Sequence, residues 1–142
     1  MQIEHSVLDA IRQHLIAAYP AEGCGFLVGQ RQDDDVVVSR QLPVHNHRDA
    51  DGAEHTRYIV SPDDFLSAER AAVMDGLQVV GVYHSHPDVG ATPSTYDREH
   101  AWPWYCYFIV SVMRGVVEEE RAWELADDRN SFVEHVVCVK EH

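Results

Sequence analysis

His84-Ser85-His86 is the stretch of this chain best equipped for chemistry. It closes an apolar, β-branched run, Val79-Val80-Gly81-Val82-Tyr83, of the kind that forms a buried strand. Alternate residues on a strand share a face, so His84 and His86 point the same way from one strand end. Pro87 forbids the strand from continuing. Eleven residues past His86 stands Asp97, within Ser94-Thr95-Tyr96-Asp97, a sequence that opens a helix. Two imidazoles and a carboxylate converging from a strand end and a helix start make a three-ligand zinc site. Such a site leaves its fourth position to water, the catalytic rather than the structural arrangement. Each piece also has a plainer reading. A His-x-His pair arises readily by chance in a chain with 10 histidines, and Ser94-x-x-Asp97 alone is a helix cap. For Asp97 the two readings are compatible, because a cap can hold the side chain rigid while its carboxylate faces the histidines.

The elements that must position these groups are legible on either side. From His5 to Tyr19, Val7, Leu8, Ile11, Leu15 and Ala18 recur at helical spacing, and Pro20 stops the helix. Gly25 to Gln30 reads as a strand, which puts Glu22 in the turn before it. Val36 to Val44 reads as a second strand, joined to the first in a hairpin by the acidic turn around Asp33-Asp34-Asp35. Ser61-Pro62-Asp63-Asp64 is a helix start with its cap, proline and acids in order, and Phe65, Leu66, Ala68, Ala72 and Val73 form the buried stripe. Gly76 ends that helix. After the histidine strand, a short helix runs from Ser94 to about Ala101. Tyr105–Val112, Val116–Leu125 and Ser131–Val139 then read as three further strands. No repeat or linker interrupts residues 1–142, so the expected organisation is one α/β domain, a mixed, largely antiparallel sheet flanked by helices.

Composition excludes several classes of function. Lys plus Arg number 11 against 24 Asp plus Glu, a formal charge of −13, so the basic face that nucleic acid requires is missing. Glu118-Glu119-Glu120 is most simply a solvated turn. No apolar run reaches the length of a membrane span and no basic-then-apolar leader opens the chain, which leads us to expect a cytoplasmic protein. Cys24, Cys106 and Cys138 are odd in number and lack C-x-x-C spacing, which argues against disulfides and against a thiolate metal site. The rival for the metal is His45-Asn46-His47 with His55. It leaves no apolar strand and has no supporting carboxylate motif, so it reads as loop surface, with substrate contact as the next reading. His-Glu-x-x-His and the His-x-Glu…Pro-Cys-x-x-Cys deaminase signature are both absent.

His84-x-His86, seven residues, then Ser94-x-x-Asp97 resembles the signature of the JAMM metalloproteases, also called MPN-plus domains. Upstream, Pro20-Ala21-Glu22-Gly23-Cys24-Gly25-Phe26-Leu27-Val28-Gly29 is similar to the segment in which that family carries its catalytic glutamate. The resemblance runs through Tyr58-Ile59-Val60, Asp64-Phe65 and the stretch after Asp97, and is greatest to the small bacterial members. It implies a cytidine-deaminase-like sandwich and one zinc per chain on His84, His86 and Asp97. It further implies Glu22 as proton shuttle and Ser94 as oxyanion donor. The spacing of residues does not itself single out Glu22 from other acids. Ser85, on the opposite strand face, reads as structural, and His100 as peripheral. Tyr83, Trp102, Trp104, Tyr105 and Tyr107 read as core packing, with room for one ring in a substrate groove.

The implied activity is hydrolysis of the bond after the C-terminal di-glycine of a ubiquitin-like sulfur-carrier protein. Alternatives are a zinc amidase or peptidase on small or cell-wall peptides, and a non-catalytic MPN scaffold. The residues leave the carrier, the choice of peptide or isopeptide bond, and monomer against homodimer open.

Overall fold

The computed structural model describes residues 1–44, 60–128 and 131–141. Their elements, in chain order, are β1 (Gln2–Glu4), α1 (His5–Ala18), β2 (Cys24–Gln32), β3 (Asp35–Val44), α2 (Pro62–Met74) and β4 (Gln78–Pro87). There follow α3 (Thr95–His100), β5 (Cys106–Met113), β6 (Val116–Leu125), β7 (Phe132–His135) and β8 (Cys138–Lys140). All the strands join one 8-stranded sheet in the order β7-β6-β5-β4-β2-β3-β1-β8. β2 runs antiparallel to both β3 and β4, and β6 to both β5 and β7, whereas β4–β5, β1–β3 and β1–β8 are parallel. The expected mixed, largely antiparallel sheet with helices is therefore what forms.

The strand order has a geometric consequence. β7 and β8 stand at opposite edges of the sheet, yet only Val136 and Val137 separate them in sequence. A step of three residues reaches roughly 11 Å at most. The sheet is therefore curled until its edges nearly meet. α1 fills the concavity: Val7, Leu8, Ile11 and Leu15 are buried among Ile3, Leu27, Val38, Val80, Phe108 and Val110. On the convex face α2 sets Ala68 and Ala72 against Phe26, Val28, Val79, Val82 and Tyr107. With helices on both faces, β4 and β5 are buried along nearly their whole length rather than on alternate residues.

The helix signals translate directly. Ser61 caps α2 through a reciprocal capping box with Asp64, and Gly76 follows its end at φ +71°. The stripe, however, is narrower than expected: Leu66 and Val73 are exposed, while Phe65, Ala68 and Ala72 face the sheet. Three further corrections concern strands. β1 spans too few residues for a period to show. Ser131–Val139 divides into β7 and β8, since the chain must cross from one sheet edge to the other. Glu118-Glu119-Glu120 lies within β6 rather than in a turn. The His45-Asn46-His47 loop and His55 lie outside the described residues.

β4 carries the histidines, and its neighbours leave no room for error. A Cβ at Gly81 would sit 2.0 Å from the Cys106 carbonyl oxygen on the parallel neighbour β5, a backbone atom that cannot turn aside. Gly81→Ala is expected to destabilise the fold by more than about 2 kcal/mol, measured by denaturant titration. An unchanged midpoint would show that β4 and β5 separate easily and that this contact is not what sets their spacing.

Candidate metal centre

Alternation along β4 puts Val82, His84 and His86 on the convex face and Tyr83 and Ser85 on the face toward α1. α3 then brings Asp97 over the histidines. Its N-cap, Ser94, accepts a hydrogen bond from the Asp97 N–H at 3.1 Å, while the Ser94 N–H donates to Asp97 Oδ2 at 2.9 Å. This reciprocal capping box fixes the aspartate's rotamer. The cap is thus formed, and the carboxylate it holds faces the histidines. Its Oδ1 lies 3.1 Å from His84 Nε2 and its Oδ2 lies 3.0 Å from His86 Nε2. The two Nε2 atoms are 3.2 Å apart. All three residues are buried.

This donor set fits a divalent metal. Spacings of 3.0–3.2 Å approach the roughly 3.3 Å edge of a tetrahedron with bonds of about 2.0 Å. The hydrogen bonds around the donors select the same chemistry. His86 Nδ1 is 2.8 Å from the Gly90 carbonyl oxygen, which can only accept, so Nδ1 carries the proton. The nitrogen left facing Asp97 is Nε2, and a lone pair against a carboxylate requires a proton or a cation between them. Burial opposes charge on His86, but Asp97, the Gly90 carbonyl and Glu22 outweigh it and raise its pKa. Burial prevails at His84, lowering its pKa and favouring the neutral imidazole that a metal needs. At Asp97 burial is outweighed by the imidazoles and the Ser94 N–H, which hold the carboxyl below its ordinary range.

Glu22 reaches this face through strand pairing. Cys24 pairs with His84 in the antiparallel β2–β4 register. One residue earlier, the Ser85 N–H donates to the Gly23 carbonyl at 3.0 Å, and the Gly23 N–H donates to Ser85 Oγ at 2.9 Å. Extending the register by one more residue sets Glu22 opposite His86, on the same face, where it is buried and its charge acts on that imidazole. Ser85 is therefore structural, as expected, and its task is to anchor the Glu22 segment. Ser94 is exposed at the lip, its oxygen occupied as an acceptor and its O–H left to donate.

Other candidates fall away. His100 is exposed, stacked on Tyr96 at 4.0 Å and bonded to its carbonyl, so it stays out of the donor group and instead lines the neighbouring aromatic cavity. Burial pushes the Cys24 and Cys106 thiols up to about 12, and neither belongs to the group of three donors. Of the aromatic residues, Tyr83 belongs to the opposite face, where its O–H donates to Gln41. Trp102, Tyr105 and Tyr107 line a cavity of about 260 Å³ with Phe26, Phe65 and Val82. Val82 precedes His84 on the same strand face, so this cavity adjoins the metal centre.

Residues 4–126 match the family described as prokaryotic homologs of the JAB domain. The chain belongs to that family. This JAB-domain chain is 36% identical to a desampylase of Haloferax volcanii over 107 residues, 75% of this chain and 73% of that protein. It is 32% identical to a probable TtuB-protein conjugate cleaving protease of Thermus thermophilus over 103 residues, 72% of this chain and 64% of that protein. A Salinibacter ruber protein solved in solution superposes with a TM-score of 0.76 at 42% identity, covering 99% of this chain and 92% of that one. A JAB1/MPN domain protein of Archaeoglobus fulgidus shares the fold, with a TM-score of 0.62 at 18% identity over 99% and 100% of the two chains. The JAB-domain chain is a hydrolytic enzyme. Among its described residues no helix is long and apolar enough to cross a membrane.

Sequence reasoning missed what surrounds the centre. Ser111, Glu119 and Trp123 hold the loop that carries Gly90. The overlooked signal was Glu119-x-Arg121-x-Trp123, which alternates through a strand-length stretch. Ser85→Ala would strip the buried Gly23 N–H of its acceptor. The expected cost is about 1–3 kcal/mol of stability, read from the thermal midpoint. A variant as stable as the parent would mean that Gly23 finds another acceptor and that Ser85 is not the anchor.

Proposed function

We propose that this chain is a zinc-dependent peptidase that cleaves conjugates of a ubiquitin-like protein, at the bond following that protein's C-terminal di-glycine. The observation that carries the reading is the convergence of His84, His86 and Asp97 on the sheet face that Glu22 also reaches. The names of the Haloferax and Thermus relatives support a ubiquitin-like conjugate as substrate.

His84 and His86, through Nε2, and Asp97, through its carboxylate, would hold the zinc. When bound, zinc supplies a Lewis acid and brings the pKa of a water down to roughly 7. Glu22 takes the proton of the attacking water and later delivers it to the departing amine. Its burial beside His86 suits a shuttle, because a carboxylate out of bulk water exchanges protons with what is placed against it. The Ser94 O–H donates to the oxygen that gains charge as the carbonyl becomes tetrahedral. A tail ending in glycines suits the site because residues without Cβ let the scissile backbone come close to the buried ligands. The aromatic cavity beside Val82 lies along the same face and excludes water from one flank of the tail. With a net charge of −13, long-range attraction of an acidic carrier is absent, so selection rests on local contacts.

Two measurements test this. Elemental analysis should find zinc in the parent, little in His84→Ala or Asp97→Ala, and full content in Glu22→Gln and Ser94→Ala. Turnover should fall about 10²–10⁴-fold in Glu22→Gln and about 10²–10³-fold in Ser94→Ala. Zinc lost from His45→Ala or His47→Ala instead would overturn the ligand assignment, and an active Glu22→Gln would remove the shuttle.

The substrate is tested by mass spectrometry of a di-glycine-ending ubiquitin-like protein extended by a peptide or linked to a lysine. Chelator-sensitive release of the extension directly after the second glycine is expected. Intact fusion, with unrelated short peptides hydrolysed by the same zinc-loaded protein, would instead assign a general amidase.

A further inference from the structure

The loop between β4 and α3 crosses the convex face of β5 and β6, and its contacts there converge on one atom. His86, Ser111 and Glu119 form a single cross-strand row, because His86 pairs with Ser111 and Ser111 with Glu119. Trp123 lies on the same face of β6, since alternate strand residues share a face. Ser111, itself buried, donates its hydroxyl to the Val89 carbonyl at 2.6 Å. Glu119 Oε1 accepts from the Ala91 N–H at 3.2 Å, and the Trp123 indole N–H donates to the Ala91 carbonyl at 3.0 Å. Ala91 is fully buried. The residue gripped on both sides is Gly90, whose carbonyl accepts from His86 Nδ1.

We infer that Glu119 and Trp123, with Ser111, are positioning residues for the metal centre. They fix the Gly90 carbonyl, which holds His86 with its proton on Nδ1 and its Nε2 turned to Asp97. Ala91 is decisive because both of its backbone groups are taken, one as donor and one as acceptor. The peptide planes on either side of it therefore cannot rotate without breaking one of these hydrogen bonds. A carbonyl free to rotate would leave His86 able to swing or to exchange tautomers, and the metal would meet an unprepared ligand. This inference rests on the metal reading above, and it concerns β6, which contributes no ligand.

The test compares Glu119→Ala, Glu119→Gln and Trp123→Phe with the parent. Zinc affinity is measured by competition with a chromophoric chelator, and ligand geometry by the visible absorption of the cobalt-substituted protein. Glu119→Ala and Trp123→Phe should each weaken zinc by about 10-fold or more and alter the cobalt spectrum. Glu119→Gln, which keeps an acceptor for the Ala91 N–H, should restore both. The thermal midpoint of the metal-free proteins separates a positioning role from a structural one. A lowered midpoint with parental zinc affinity and cobalt spectrum would overturn the inference. So would a Glu119→Gln protein as impaired as Glu119→Ala, since the charge and not the acceptor would then matter. A parent that takes up neither zinc nor cobalt would sink the metal reading itself, whereas parental affinity in every variant would sink this inference alone.

Discussion

Two imidazoles and a carboxylate cannot be buried within 3.0–3.2 Å of one another without something to balance them. That constraint organises the convex face of this protein. Two of the groups are held by hydrogen bonds that keep them turned to the centre: Asp97 accepts from the Ser94 N–H, and His86 donates to the Gly90 carbonyl. The remaining demand is for positive charge at the centre of the three. A proton can meet it, as the raised pKa of His86 indicates, and a divalent cation can meet it better. The binding free energy of such a cation would stabilise the folded chain directly, because the unfolded chain does not bring these donors together.

The parts of this arrangement that are local in sequence could be read from the sequence. His84-x-His86 at the end of an apolar run announces a shared strand face, and Ser94-x-x-Asp97 announces a capped helix. Both are consequences of spacing within a few residues. Glu22 is a different case. Its place depends on β2 pairing with β4 in one register, across a separation that no periodicity encodes. Resemblance to a family pointed to it where the chemistry of the residue type could not. Strand β1 escaped for a related reason, since it is defined by its partners β3 and β8 and is too short to show a pattern of its own.

The acidic run 118–120 shows how a composition rule can mislead. Three glutamates in a row suggest solvent, yet pleating sends them to alternate faces. Glu120 turns to the concave side and takes Arg12 of α1 in a bidentate pair, at 2.5 and 2.7 Å. Glu119 turns to the convex side and takes the Ala91 N–H. One sequence feature thus braces both the helix inside the curl and the loop outside it.

The position of that brace late in the chain also matters for synthesis on the ribosome. Glu22, His84, His86, Ser94 and Asp97 have all been made before β6 is begun. A nascent chain at that stage possesses every polar group of the centre but neither Glu119 nor Trp123 to still the loop. Strand β8, which flanks β1 and closes the curl, is made later still. Vectorial synthesis therefore delivers the polar groups of the centre first and the residues that brace the Gly90 loop afterwards.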